Sequence, residues 1–363
     1  MFFTKPRDVR VHFDGPDGEC AVYVGSFRVP GSDGKPVPQG IWAFGEGTGR
    51  DLRDAEDRIR QRVDDVVAVL SFLSNAATEE PSVEMVYDIT PGKQQHEALF
   101  SSEVDHYATP PATLRRPPNC LPQCLKSLIE HESSERLWRG VSSYVAALRS
   151  WRKGHEPIAL AFLYMAMEAL TVIARKPLFE QHGGVEGLAA AWDIDKKQVD
   201  GEIRKRVLFA GNVELYRKAK LASDSMEHGF GTMEAIADIA EQQVEELAEL
   251  VRTYLVHELF PPGTLRKVLL SPAFKKPLGC VPARLLLRGT LQGNAPELRH
   301  PNQHPSIQFR AGPASVQQAD GADWEVLWDY SDMVPALAAG VSFIPGALEV
   351  NDWRVDGVPT KLT

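Results

Sequence analysis

Ile158-Ala-Leu-Ala-Phe-Leu-Tyr-Met-Ala-Met-Glu-Ala-Leu-Thr-Val-Ile-Ala174 is the stretch on which the fold turns. It is apolar on every side and carries a single charge, Glu168. A helix without a polar stripe belongs inside a protein, surrounded by other helices. Pro157 suits the first turn, where its missing N–H costs nothing, and Lys176-Pro177 is expected to end the helix. Its uninterrupted apolar run, Ile158–Met167, is ten residues long, against about 20 for a bilayer crossing. The N-terminus, Met-Phe-Phe-Thr-Lys-Pro-Arg-Asp, has no apolar core of signal-peptide length. The chain therefore reads as cytoplasmic, with no membrane span.

Glu168 poses a physical question. An ionised carboxylate buried without a partner is prohibitive, so it must be paired, hydrogen-bonded or protonated. A lysine or arginine of a neighbouring helix is the simplest partner. A functional site is the alternative, since perturbed acids cluster in such sites. Stripping one member of a buried pair costs about 3–5 kcal/mol, so Glu168→Ala is expected to destabilise more than the surface change Asp224→Ala.

Helical periodicity extends on both sides of this stretch, from Cys124 to Phe260. Leu137, Val141, Tyr144 or Val145, Leu148 and Trp151 form one stripe, and Ile236, Ala240, Val244, Leu247, Val251, Tyr254 and Leu255 another. The outer face of the latter, with Glu241, Glu245, Glu246 and Glu249, is solvated. Between them, Tyr216-Arg-Lys-Ala-Lys-Leu-Ala-Ser-Asp-Ser-Met-Glu-His-Gly-Phe230 has two faces. Leu215, Ala219, Ala222 and Met226 point to the core, whereas Arg217, Leu221, Asp224 and His228 form a second face. Asp224 and His228 are neighbours at i,i+4. A carboxylate there can orient the ring and raise its pKa, as a general base requires; a histidine in the last turn also simply suits the helix dipole.

Ahead of the helices, Val9–Phe13, Ala21–Val24 and Ile41–Phe44 alternate as strands between Gly/Asp/Pro turns. An amphipathic helix follows, capped by Thr48 and Asp51, with Leu52, Ala55, Ile59, Val63, Val66, Leu70 and Leu73 on one stripe. Residues 90–122 are a proline-rich connector, preceded by a strand at Val83–Tyr87. Beyond Pro261-Pro262-Gly263, short strands are expected at Ala283–Leu287, Ile307–Phe309, Trp324–Trp328 and Val341–Ile344. The fold class is thus α+β in three parts: residues 1–122, a β-rich domain with a covering helix and the connector; residues 123–262, an all-α bundle; and residues 263–363, an irregular, partly β segment.

The 363 residues carry a formal charge of -9 with ordinary hydrophobic (43%) and charged (25%) content, which argues against a general nucleic-acid coat or a polybasic membrane binder. Cys20, Cys120, Cys124 and Cys280 make neither a disulfide framework nor a zinc spacing. No phosphate-binding loop, zinc-protease motif or nucleophile elbow is present, and Gly45-Glu-Gly-Thr-Gly49 lacks dinucleotide spacing. Arg136, Arg139, Arg149, Arg152 and Lys153 surround Trp138 and Trp151, but these tryptophans fall on the core stripe.

Phe162-Leu-Tyr-Met-Ala-Met-Glu-Ala-Leu170 and Ala222-Ser-Asp-Ser-Met-Glu-His-Gly229 resemble the HEPN superfamily, particularly its ApeA-like branch and the related proteins labelled methylamine-utilisation MauJ. The resemblance covers roughly residues 125–260 and extends weakly to the N-terminal sheet and helix. It implies a homodimer with no cofactor and no metal ion. HEPN nucleases carry an arginine, then four to six residues of which the first is polar, then a histidine, and two such motifs meet at a dimer interface and cut RNA without metal. On this pattern His228 matches the histidine and Asp224 the polar residue, with Glu168 as a further partner, but Ser223 stands where the arginine belongs. Arg217 lies about 16 Å and Lys220 about 12 Å before His228 along a helix. Losing one preorganised charge-stabilising donor costs about 100- to 1,000-fold in rate. Arg217 and Lys220, with Arg115 and Arg116 of the connector, are the candidate RNA contacts. The resemblance implies a non-catalytic HEPN-like binding or scaffold protein. Its alternatives are a metal-independent HEPN ribonuclease in phage defence, and an accessory factor in methylamine utilisation.

Overall fold

The computed structural model describes residues 9–13, 19–32, 34–79, 81, 83, 85–87, 98–100, 113–152, 154–229, 232–278, 284–292, 306–319, 321–337 and 339–351. Cys280 and Lys153 lie outside the described residues. Strands β1 (Val9–Phe13), β2 (Cys20–Pro30) and β3 (Pro36–Gly47) form an antiparallel meander in that order. Val11, Phe13, Val22 and Val24 alternate onto its inner, buried face. Helix α1 (Leu52–Ser74) covers that face. Asp51 alone caps it, accepting the Asp54 N–H at 2.9 Å, so the expected pairing with Thr48 gives way to a single carboxylate cap. At Gly45 a Cβ would lie 2.1 Å from Cγ2 of Ile59. The glycine run at 45–49 thus lets α1 close onto β3.

Two short strands, β4 (Met85–Tyr87) and β5 (Ala98–Phe100), pair with each other, and β6 (Thr113–Arg115) ends the connector. The bundle then begins with α2 (Leu121–Glu130), α3 (Ser134–Ser150) and α4 (Glu156–His182). Pro177 lies inside α4 and does not end it. The ring removes one backbone bond, but Leu178 and Phe179 beyond it still pack on the core, and the helix runs on to Gly183 at φ 74°. Nor is α4 enclosed on all sides, as its composition suggested: Ile158 and Met165 remain 40% and 47% exposed. Among the described residues α4 is the one helix apolar and long enough to cross a bilayer, and 61% of that span is buried in the fold, as in the core helix of a soluble protein.

Helices α5 (Val185–Trp192) and α6 (Val199–Ile203) lead into a wide π-helical turn, Arg204–Leu208, then α7 (Val213–His228) and α8 (Met233–Leu259). After the short helices α9 (Thr264–Leu269) and α10 (Pro272–Lys275), the chain returns to strands: β7 (Arg284–Gln292), β8 (Ser306–Gln318), β9 (Asp323–Ala336) and β10 (Ser342–Asn351). The architecture is α+β. These strands are longer than the sequence pattern suggested, and they form two sheets, β10–β7 and β6–β9–β8.

The expected divisions at 122/123 and 262/263 do not separate independent cores. One apolar core runs from Val11 through the bundle to Leu269. A second, small one joins Val326, Trp328 and Leu348 to Val37 of β3 and Leu114 of β6. A polar junction at the end of α1 fastens all three parts. Asn75, at φ 49°, donates from Nδ2 to the carbonyls of Phe274 (2.7 Å) and Lys275 (3.0 Å), and its Oδ1 accepts the Tyr144 hydroxyl at 2.5 Å. Arg115 donates from Nη1 to Ser74 O (3.3 Å), Asn75 O (2.9 Å) and Lys276 O (2.7 Å), and its Nε and Nη2 grip Asp323 at 2.5 and 2.9 Å. Arg252 of α8 reaches Leu73 O from the other side at 3.1 Å. The last turn of α1 has no basic residue of its own, so these two arginines satisfy its terminal carbonyls and oppose its dipole.

Candidate functional site

Helix α7 starts at Asn212, whose side-chain oxygen accepts the Leu215 N–H at 3.0 Å. Its inner face buries Leu215, Tyr216, Ala219, Ala222 and Ser223. The face that carries Arg217, Lys220 and Asp224 is paired within itself. Arg217 donates to both carboxylate oxygens of Glu214 at 3.2 Å. Lys220 holds Asp224 one turn along. The carboxylate expected to orient His228 is bound by the Lys220 ammonium on its N-terminal side. His228 is exposed in the last turn, just before Gly229 at φ 69°.

Glu168 is half-exposed on the open side of α4, and its carboxylate takes the Nη1 of Arg204 at 2.9 Å. The partner is of the expected kind. The burial is not, because Glu168 lies three residues from Met165 on the same uncovered stripe. Arg204 opens the π turn, a local irregularity that often marks a specialised region. Here it aims three consecutive cations at rings: Arg204 lies 5.8 Å from the Tyr164 ring, Lys205 5.4 Å from Tyr216 and Arg206 4.5 Å from Trp192. Glu202 also takes Lys205 at 2.5 Å and Arg206 at 3.2 Å. Burial pushes the Tyr164 hydroxyl far above its usual range, with Arg204 pulling the other way and Tyr216 hydrogen-bonded to it. Three cations share two carboxylates here, which leaves one positive charge in excess, and the Nε of Arg204 is buried without a hydrogen-bond partner.

The connector candidates separate. Arg116 is exposed, and its N–H pairs with Ala322 O at 3.0 Å. Arg115 is 2% exposed and spends its donors at the α1 junction, so it cannot reach an RNA phosphate, and that assignment is corrected. Trp151 is buried, Trp138 packs on the core, and Arg149 donates to Thr78 O at 2.8 Å, in keeping with a structural role for the basic stretch on α3. The structure joins Glu168 to Arg204, Lys220 to Asp224 and Arg217 to Glu214, so the candidates form separate pairs.

Two arginines escaped the sequence reading. Arg204 was signalled only by the run Arg204-Lys-Arg206 beside an unpaired acid. Arg252 sits on the apolar face of α8, where a cation among Leu247, Val251 and Leu255 was the clue. Burial brings its pKa down to about 10. Beside it, burial raises the Cys120 thiol to about 11 and the Cys124 thiol as well, so both remain protonated packing groups. No family model, curated protein or solved structure matches this chain.

Proposed function

We propose that the chain is a cytoplasmic, HEPN-like binding or scaffold protein that does not cut RNA. One observation carries this reading: Ser223, at the position where the nuclease pattern needs its arginine, is 2% exposed on the inner face of α7. A guanidinium there would enter the core without a counter-charge, at a cost of several kcal/mol. The neighbouring cations offer no replacement, since Lys220 is held by Asp224 and Arg217 by Glu214. The uncovered stripe of α4, with Ile158 and Met165 exposed, supports self-association as a homodimer, because apolar surface left open on a core helix gains by burial.

The test is incubation of the purified protein with total RNA in EDTA. Intact RNA is the expected result, and cleavage abolished by His228→Ala overturns the proposal. Sedimentation of the parent and of Met165→Glu checks the dimer: the parent should run as a dimer and the variant as a monomer.

A further inference from the structure

The outer face of the β1–β3 sheet carries a row of side chains that the folding core does not use. The register aligns Arg10 of β1 with Tyr23 of β2 and Tyr23 with Phe44 of β3, and sets Trp42 opposite Gly25 one step along the same face. The Arg10 guanidinium lies 5.0 Å from the Tyr23 ring centroid, and the Tyr23 and Phe44 rings are 5.9 Å apart, tilted by 45°. The Tyr23 hydroxyl donates to Glu46 Oε2 at 3.3 Å, which fixes that ring. Trp42 and Phe44 are 37% and 40% exposed although they are among the largest apolar side chains in the chain. Arg10 and His12 are exposed on the edge strand beside them.

We propose that this face binds single-stranded nucleic acid, with bases stacked on Phe44 and Trp42 and a phosphate held by Arg10. Trp42 and Phe44 lie two residues apart on the same face of β3, with Tyr23 beside them on β2, and unpaired bases stack on such exposed rings whatever their sequence. The small residues Ala21 and Gly25 flank Tyr23 on this face of β2, so no bulky side chain of that strand stands between the rings. A cation at one end of a ring row matches the alternation of phosphate and base along one strand. A duplex hides its base faces and cannot use the platform. The contacts involve bases and phosphate alone, which RNA and DNA share. The inference is independent of the reading of α7, because it concerns the opposite end of the chain and no cleavage.

Fluorescence anisotropy of labelled oligothymidylate and oligouridylate, titrated with the full chain at low salt, tests it. Both should bind, and a duplex of equal length should bind more weakly. Phe44→Ala and Trp42→Ala should each weaken binding by about 5- to 100-fold, with circular dichroism showing that each variant remains folded. Arg10→Ala should lower the salt slope by about 0.7, the value of one single-strand phosphate contact. The proposal is overturned if neither oligomer binds, if only one of the two sugars is bound, if the ring variants bind like the parent, or if those variants instead dissociate a dimer formed through this face.

Discussion

Replacing Arg115 by alanine should remove about 3–5 kcal/mol of folding stability, the cost of breaking a buried ion pair from one side. The figure follows from the bonds at stake. Two charge-assisted contacts to Asp323 disappear, as do three to the carbonyls of Ser74, Asn75 and Lys276. Each buried acceptor left unmatched costs about 1–3 kcal/mol. Against that, the Asp323 side chain is 25% exposed and regains water, and Asn75 O keeps the Leu278 N–H at 2.9 Å. The total therefore falls short of the simple sum. Asp323→Asn should cost less, about 1–2 kcal/mol, because the amide oxygen still accepts one bond. Arg115→Lys should recover little, since an ammonium cannot span a carboxylate and three carbonyls as the planar fork does. Urea unfolding followed by circular dichroism reads all three variants. A loss under about 1 kcal/mol for Arg115→Ala would show that the junction is ornamental and refute the reasoning.

In the Glu168–Arg204 pair the carboxylate is half-exposed but the arginine only 17% exposed, whereas both members of Lys220–Asp224 are about two-fifths exposed. Glu168→Ala should therefore cost about 1–2 kcal/mol and Asp224→Ala no more than about 1 kcal/mol; a loss of about 4 kcal/mol or more for Glu168→Ala in denaturant melts would restore the buried-carboxylate expectation. Gly45→Ala should destabilise by about 1–3 kcal/mol through overpacking, because its Cβ would meet Ile59 at 2.1 Å, and the paired change Gly45→Ala with Ile59→Ala should recover part of it in the same melts. The folded state holds the Cys120 proton to about pH 11 against about 9 for an ordinary thiol, and Cys124 is shifted the same way. The unfolded chain releases these protons first, so this stability is intact below about pH 9 and declines as the pH rises towards 11. A Cys120→Ala, Cys124→Ala variant should lose less stability than the parent between pH 9 and 10, and equal slopes would count against the assignment.

Element positions were largely legible because most rest on local signals. Alternation at Val9–Phe13 and steps of three and four at Leu137–Leu148 translate directly into β1 and α3. Pro177 misled because a proline rule is local, whereas the burial of Leu178 and Phe179 that carries α4 past it is tertiary. Glu168 misled for the same reason: an apolar helix can leave one stripe uncovered, and nothing within Ile158–Ala174 says which. The candidate site was legible as a pattern, Asp224 followed by His228, but the pairing of Asp224 with Lys220 one turn earlier was not. Arg115 looked like a connector cation because its partners, Ser74 and Asp323, lie 41 and 208 residues away in the chain, and long-range pairing leaves no local trace.

That separation along the chain has a consequence for biosynthesis. The carbonyls that end α1 are made well before the carboxylate that anchors their arginine. Among the described residues Asp323 is the counter-charge of Arg115 and β9 the neighbour of its strand, so a nascent chain stalled before that point holds α1 without the anchor of its terminal carbonyls. Synthesis of β9 is then a closing step, in which that strand locks residues made more than two hundred positions before it.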